Sequence, residues 1–117
     1  MMEFEKITKE HAELFPKATA ESQFVKLEEE ITELEEAKTG IQTIKELADI
    51  IIVCAGLNRW FPKTARAIAK GFYKYAQYEE LDELVEAEIK RKWNVNQLRE
   101  WVWDGKTYQH KGRDGNE

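Results

Sequence analysis

Six glutamates crowd the nine positions from Glu28 to Glu36, inside the run KLEEEITELEEA that spans Lys26 to Ala37. Carboxylates do chemistry in pairs, as general acids and bases, or in clusters, as oxygen ligands for hard divalent cations. Most glutamates on a helix do neither and simply face water. A second acidic pair downstream changes that balance. From Leu47 to Leu57 the chain reads LADIIIVCAGL, apolar on every side of a helix, with Asp49 its one charged residue. An ionised carboxylate in such surroundings needs a cation, hydrogen bonds or a metal to offset its desolvation. Glu46 lies one turn earlier on the same side, so E-x-x-D presents two carboxylates about 5–6 Å apart at their β-carbons. Glu30 and Glu33 repeat that spacing. The midpoints of the two pairs are equidistant from the Thr39–Gly40 junction, and an antiparallel hairpin folded there sets both pairs at one level. Four carboxylates gathered in this way raise one another's pKa values unless divalent cations neutralise them.

The donor types narrow the cation. An all-oxygen set suits Mg²⁺ or Mn²⁺. Neither His11 nor His110 stands in a Glu-x-x-His pair, which argues against zinc and against a di-iron bundle. One conflict is visible at this level. Thr43 with Glu46 three residues on has the pattern of a capping box, and Glu46 cannot fully serve as both cap and ligand.

Further along, an apolar stripe turns cationic. Leu81 and Val85 begin a buried face whose helical continuation is Glu88, Lys92, Asn96 and Arg99. Lys92, Asn96 and Arg99 form a row of donors fit for phosphate oxygens, arginine in bidentate fashion. The other reading is that Lys92 and Arg99 pair with the buried acids. Lys26, just beyond the Glu30 flank of its own helix, counts with the substrate-binding cations.

The elements that must position these residues are helical. With two prolines, few glycines before Gly105 and no clean alternation of apolar and polar residues, the pattern predicts an all-α bundle of four to five helices and no strands. Helices are expected over about 7–15, 19–38, 44–58, 64–75 and 79–101, with helices two and three as the central antiparallel hairpin and Gly40 as a left-handed cap between them. On helix two, Phe24, Leu27, Ile31 and Leu34 mark the buried stripe. The helical domain covers 1–103, and the polar, glycine-rich 104–117 reads as a mobile tail or lid.

Composition limits the partners. The chain has 117 residues and a formal net charge of −5, with no basic block to neutralise a phosphate backbone, so nucleic acid is not an expected ligand. The longest apolar run, Ile50 to Leu57, is far short of the ~20 residues that cross a bilayer. A start without a cationic segment followed by an apolar one, and a single cysteine in an apolar run, point to a cytoplasmic protein.

The acidic pairs also resemble a known signature. EEITE (Glu29, Glu30, Glu33), a gap of 12 residues and then ELAD (Glu46, Asp49) is similar to the E-E-x-x-E to E-x-x-D motif of the MazG-like all-α nucleoside triphosphate pyrophosphohydrolases, a group related to dimeric dUTPases and phosphoribosyl-ATP pyrophosphohydrolases. KWNVNQLREW, through Lys92, Asn96, Arg99 and Trp101, resembles the K-x-x-x-N-x-x-R-x-W segment of small members, and DGKTYQH their trailing D-G and H. The resemblance implies Mg²⁺-dependent cleavage of a nucleoside triphosphate to monophosphate and pyrophosphate. It makes Glu30, Glu33, Glu46 and Asp49 the metal ligands, and Glu29 and Glu30 the candidate catalytic carboxylates, without naming which acid takes the proton of the attacking water. Lys92 and Arg99 would grip distal phosphates, and Asn96 a phosphate or sugar oxygen. A homodimer or homotetramer follows too, in keeping with six aromatics between Trp60 and Tyr78. Trp101, Trp103 and Tyr108 are open to two readings, stacking on a base or ordinary packing. Two rivals stand beside this: phosphoribosyl-ATP or dUTP hydrolysis on the same architecture, and a non-catalytic helical interaction module. Asn at position 49 would be tolerated only in the module.

Overall fold

Leu47, Ile50, Ile51, Cys54, Ala55 and Leu57 are essentially inaccessible to solvent, and they lie on successive faces of one helix. A helix apolar all round has to be covered on every side, and the rest of the chain is arranged to do so. The computed structural model describes residues 3–111. They form α1 (Phe4–Leu14), α2 (Ala20–Glu36), α3 (Gly40–Leu57), α4 (Pro62–Tyr78) and α5 (Asp82–Leu98), then the short strands β1 (Trp101–Trp103) and β2 (Tyr108–His110). α3 is the central helix, packed by α1, α2, α4 and α5. The α4 side of that contact is lined by Ala65, Ala69 and Ala76, all fully buried, and their small side chains allow the two backbones to approach. Among the described residues no helix is long and apolar enough to cross a membrane.

The helix boundaries follow local chemistry. Thr19 caps α2 through a reciprocal pair: Ser22 N–H donates to Thr19 Oγ1 at 3.0 Å, and Thr19 N–H donates to Ser22 Oγ at 2.9 Å. α3 begins earlier than its expected start near Ile44. Thr39 is its cap, accepting from Gln42 N–H at 3.1 Å, so Thr43 lies inside the helix and the Thr43–Glu46 capping box does not form. Glu46 is thereby left free for the site. Gly40 is the first residue of α3 and not a left-handed cap; α2 instead ends at Ala37 in extended geometry. Pro62 opens α4 at a position where a missing N–H costs nothing.

The chain after α5 departs from the all-helical pattern. α5 stops at Leu98, and Trp101–Trp103 pair antiparallel with Tyr108–His110, Val102 opposite Gln109. The turn explains this. Asp104 Oδ1 accepts from the N–H groups of Lys106 and Thr107 at 2.8 Å each, and Gly105 takes φ +97°, which favours glycine. The signal was a turn sequence between two aromatic triplets too short to show alternation. The hairpin straddles the expected boundary at 103 between bundle and tail; the part of the tail from 112 to 117 lies outside the described residues.

One close approach decides where α1 crosses α3. A Cβ on Gly56 would stand 2.5 Å from His11 Nε2 and 2.6 Å from Gln23 Oε1, whereas one on Gly71 of α4 would meet nothing within 4 Å. Gly56→Ala is expected to destabilise the fold by about 1–3 kcal/mol through overpacking. Gly71→Ala should be neutral or stabilise it by about 0.5–1 kcal/mol by removing unfolded-chain entropy. Paired thermal melts check both, and equal midpoints for the two variants would contradict the packing.

Candidate metal and phosphate site

Helix periodicity on α2 selects the functional flank. Its buried residues are Ser22, Gln23 and Leu27, while Phe24, placed on the buried stripe by sequence, is 40% exposed. The inward face therefore runs Gln23, Leu27, Glu30, one helical turn and then seven residues from its start. α2 packs closely on α3, and this brings Glu30 and Glu33 to the level of Glu46, as the hairpin geometry predicted. One ligand oxygen from each of Glu30, Glu33 and Glu46 lies within 4.8 Å of the others.

The electrostatics of this cluster are strained. Glu30 Oε1 and Glu46 Oε1 are buried with no hydrogen-bond partner. Burial first, then the charges of Asp49 and Glu33 and the neighbouring Glu46 carboxyl, push Glu30 up to about 9. Glu46 is also raised, chiefly by burial. Two buried acceptors without donors, beside a third carboxylate, are what a bound cation would satisfy. The donor set thus fits a hard divalent ion on the structure's own terms.

Asp49 sits close enough to raise both Glu30 and Glu46, and unlike them it has a cationic partner. Lys92 Nζ donates to Asp49 Oδ2 at 2.9 Å, with the lysine side chain only 7% exposed. Burial raises the Asp49 carboxyl, and the charge and hydrogen bond of Lys92 pull it back down. Sequence left open whether the α5 cations grip phosphate or pair with acids. Lys92 pairs with an acid. Arg99, in the residue after α5, has no carboxylate in ion-pair distance among the described residues; its Nη1 reaches Asn96 Oδ1 at 3.5 Å. This pairing also alters the meaning of an asparagine at position 49. Losing the Asp49 charge would strand a buried ammonium and destabilise enzyme and module alike.

A cavity of about 400 Å³ joins these groups. Glu29, Glu30, Glu33 and Asp49 line one wall, and Lys26, Lys92, Asn96 and Arg99 also face it. Lys26 is held loosely to Glu29 at 3.7 Å. The hairpin closes one end. Trp101 Nε1–H donates to Asn96 O at 2.8 Å and its ring meets Phe15 edge-on at 5.0 Å, while Tyr108 Oη accepts from Lys17 N–H at 3.0 Å. Both Trp101 and Tyr108 are thus packed against the protein and also line the cavity. Trp103 packs on Tyr108 instead. His110 is half-buried, meets Trp101 edge-on and lines the cavity.

Among the cavity residues that escaped sequence reading are His11, Ser22 and Gln23. Their signal was present but faint. Gln23 stands seven residues before Glu30, so the two share a helix face.

Comparison of the chain with protein-family models, with curated proteins and with solved structures returns no match.

The raised Glu30 carboxyl has a consequence for stability. Between its ordinary pKa near 4.5 and its folded value near 9 the native state holds a proton that the unfolded chain has lost. Stability of the metal-free protein therefore falls as pH rises through that window. Glu30→Gln is expected to flatten this slope and to melt above the parent at pH 8 in EDTA. Melts from pH 5 to 9 check it, and an unchanged slope would remove Glu30 as its source.

Proposed function

We propose that this chain is a Mg²⁺- or Mn²⁺-dependent nucleotide pyrophosphohydrolase that cleaves a nucleoside or deoxynucleoside triphosphate to monophosphate and pyrophosphate. The observation that carries the reading is the pair of buried, partnerless carboxylate oxygens of Glu30 and Glu46, with Glu33 within 4.8 Å; Glu30 and Glu33 line a cavity that also bears Lys26, Lys92 and Arg99. Acids for a cation and cations for phosphates in one cleft match what a metal–triphosphate needs. The resemblance to the MazG-like enzymes rests on the same acidic residues.

Glu30, Glu33 and Glu46 hold the cation, which supplies charge neutralisation of the triphosphate and a lowered pKa for the attacking water. Asp49, the fourth acid of the motif, anchors Lys92. An ammonium carries three donors, so with one on Asp49 Lys92 keeps two for phosphate oxygens. Arg99, without a carboxylate of its own, offers its fork to the distal phosphates, and Asn96 holds it in reach. Glu29, exposed and lining the cavity, and Glu30 are the candidate carboxylates for the proton of the attacking water.

Assembly belongs to the same reading. Phe61, Tyr75 and Tyr78 are 49%, 43% and 84% exposed on or beside α4, and Phe24 lies against Phe61 with ring centroids 6.1 Å apart. Covering such a surface with a second copy makes a homodimer or homotetramer. The buried free thiol of Cys54 suits the cytoplasm.

Glu33 is the residue to test. It is exposed and makes no ion pair or hydrogen bond with another described residue beyond the acidic cluster, so Glu33→Gln should fold as the parent does. With Mg²⁺, pyrophosphate and monophosphate release is expected from the parent, none in EDTA, and a loss on the order of 10²–10³ in kcat for Glu33→Gln. Intact triphosphates across a full panel of bases, with Mg²⁺ present, would overturn the assignment.

A further inference from the structure

Besides the acids, the cavity is lined by aromatic rings and by the Gln23 amide, whose orientation is dictated by its neighbours. Arg59 Nη1 lies 3.1 Å from His11 Nδ1 and also donates to Phe15 O at 3.1 Å. A guanidinium only donates, so His11 Nδ1 accepts. Burial and the Arg59 charge lower His11 to about 3, and the ring is neutral, with its one proton on Nε2. That proton is on the side of Gln23: His11 Nε2 and Gln23 Oε1 both lie over the bare Cα of Gly56, where a Cβ would stand 2.5 and 2.6 Å from them. With its carbonyl on the His11 side, Gln23 turns its amide nitrogen the other way. One N–H points to Ser22 Oγ at 3.4 Å, and Ser22 Oγ–H is itself committed to Thr19 O at 2.7 Å. The second Gln23 N–H has no partner among the described residues, although Gln23 is only 7% exposed and lines the cavity. Nothing in the chain Arg59, His11, Gln23 can reverse without leaving a guanidinium N–H against an N–H.

We propose that Gln23 is the base-reading residue of this cavity, a fixed donor that selects nucleobases presenting an exocyclic carbonyl, as in hypoxanthine and uracil, over those presenting an amine at the same position, as in adenine and cytosine. The proposal rests on the triphosphate reading above. Phe15, Trp93 and Tyr108, which also line the cavity, supply flat apolar surface for a base. The cavity is continuous with the acidic cluster, so a nucleotide with its phosphates on the cation puts its base against these residues. A carbonyl there accepts the unpaired Gln23 N–H; an amine sets donor against donor and leaves both unsatisfied, a difference of roughly tenfold or more.

Two matched pairs isolate that position, ITP against ATP and UTP against CTP, each differing only by oxygen or amine. The expected result is a kcat/KM ratio of roughly tenfold or more for the carbonyl member of at least one pair, collapsing to about twofold in Gln23→Met, which keeps the side-chain volume and loses the donor. A ratio near one in both pairs, or a ratio that survives in Gln23→Met, overturns the proposal while leaving the hydrolase standing. Binding of IMP, AMP, UMP and CMP, followed by tryptophan fluorescence of Trp93 and Trp101, reads the same preference without turnover. Selective binding erased by Gln23→Met, with no triphosphate cleaved, sustains the base site and overturns the hydrolase. Absence of both binding and cleavage overturns the two together.

Discussion

The constraint on which the molecule depends is that α3 has no polar face. Every side of Leu47 to Leu57 must leave water, and at about 25 cal/mol per Å² of apolar surface this burial is the strongest organising force in so short a chain. Four helices are consequently wrapped around one. The acids in the middle of α3 are carried into that packing and placed where a carboxylate would not go by itself. Their partners come from the helices that surround α3: Glu30 and Glu33 from α2, Lys92 from α5.

Two solutions to the same electrostatic problem sit side by side as a result. Asp49 is neutralised by Lys92, an internal cation delivered by α5. Glu30 and Glu46 have no such partner, and Glu30 answers by holding its proton to about pH 9. A proton is a weak neutraliser for several carboxylates, because it leaves the remaining oxygens unsatisfied. A satisfied acid, Asp49, thus stands one helical turn from an unsatisfied one, Glu46, with the unsatisfied Glu30 facing them from α2. Elsewhere along the cavity Arg59 fixes the His11 ring and Ser22 fixes the Gln23 amide, so the polar groups there have set orientations as well.

The acidic half of the site was legible because helix period and hairpin symmetry are properties of spacing alone. Glu30, Glu33, Glu46 and Asp49 share a level for that reason. The capping-box conflict at Glu46 was legible too, and only the earlier start of α3 at Thr39 resolved it. Less legible were Gln23 and His11. Phe24, a large hydrophobe, displaced the apparent stripe by one residue, and a polar Gln23 gave no sign of being buried. The β-hairpin was hidden because strands of three residues carry no measurable period, although Asp104–Gly105 marked its turn.

By itself, then, the sequence determined the helical class, the central place of α3 and the alignment of two acidic pairs, since these follow from local propensity and the 3.6-residue period. Only the tertiary structure decided which acid pairs with Lys92, which flank of α2 faces inward and how the hairpin closes the cavity. Those outcomes depend on distances between side chains from different helices, set by how neighbouring surfaces interlock, and no one-dimensional pattern encodes them.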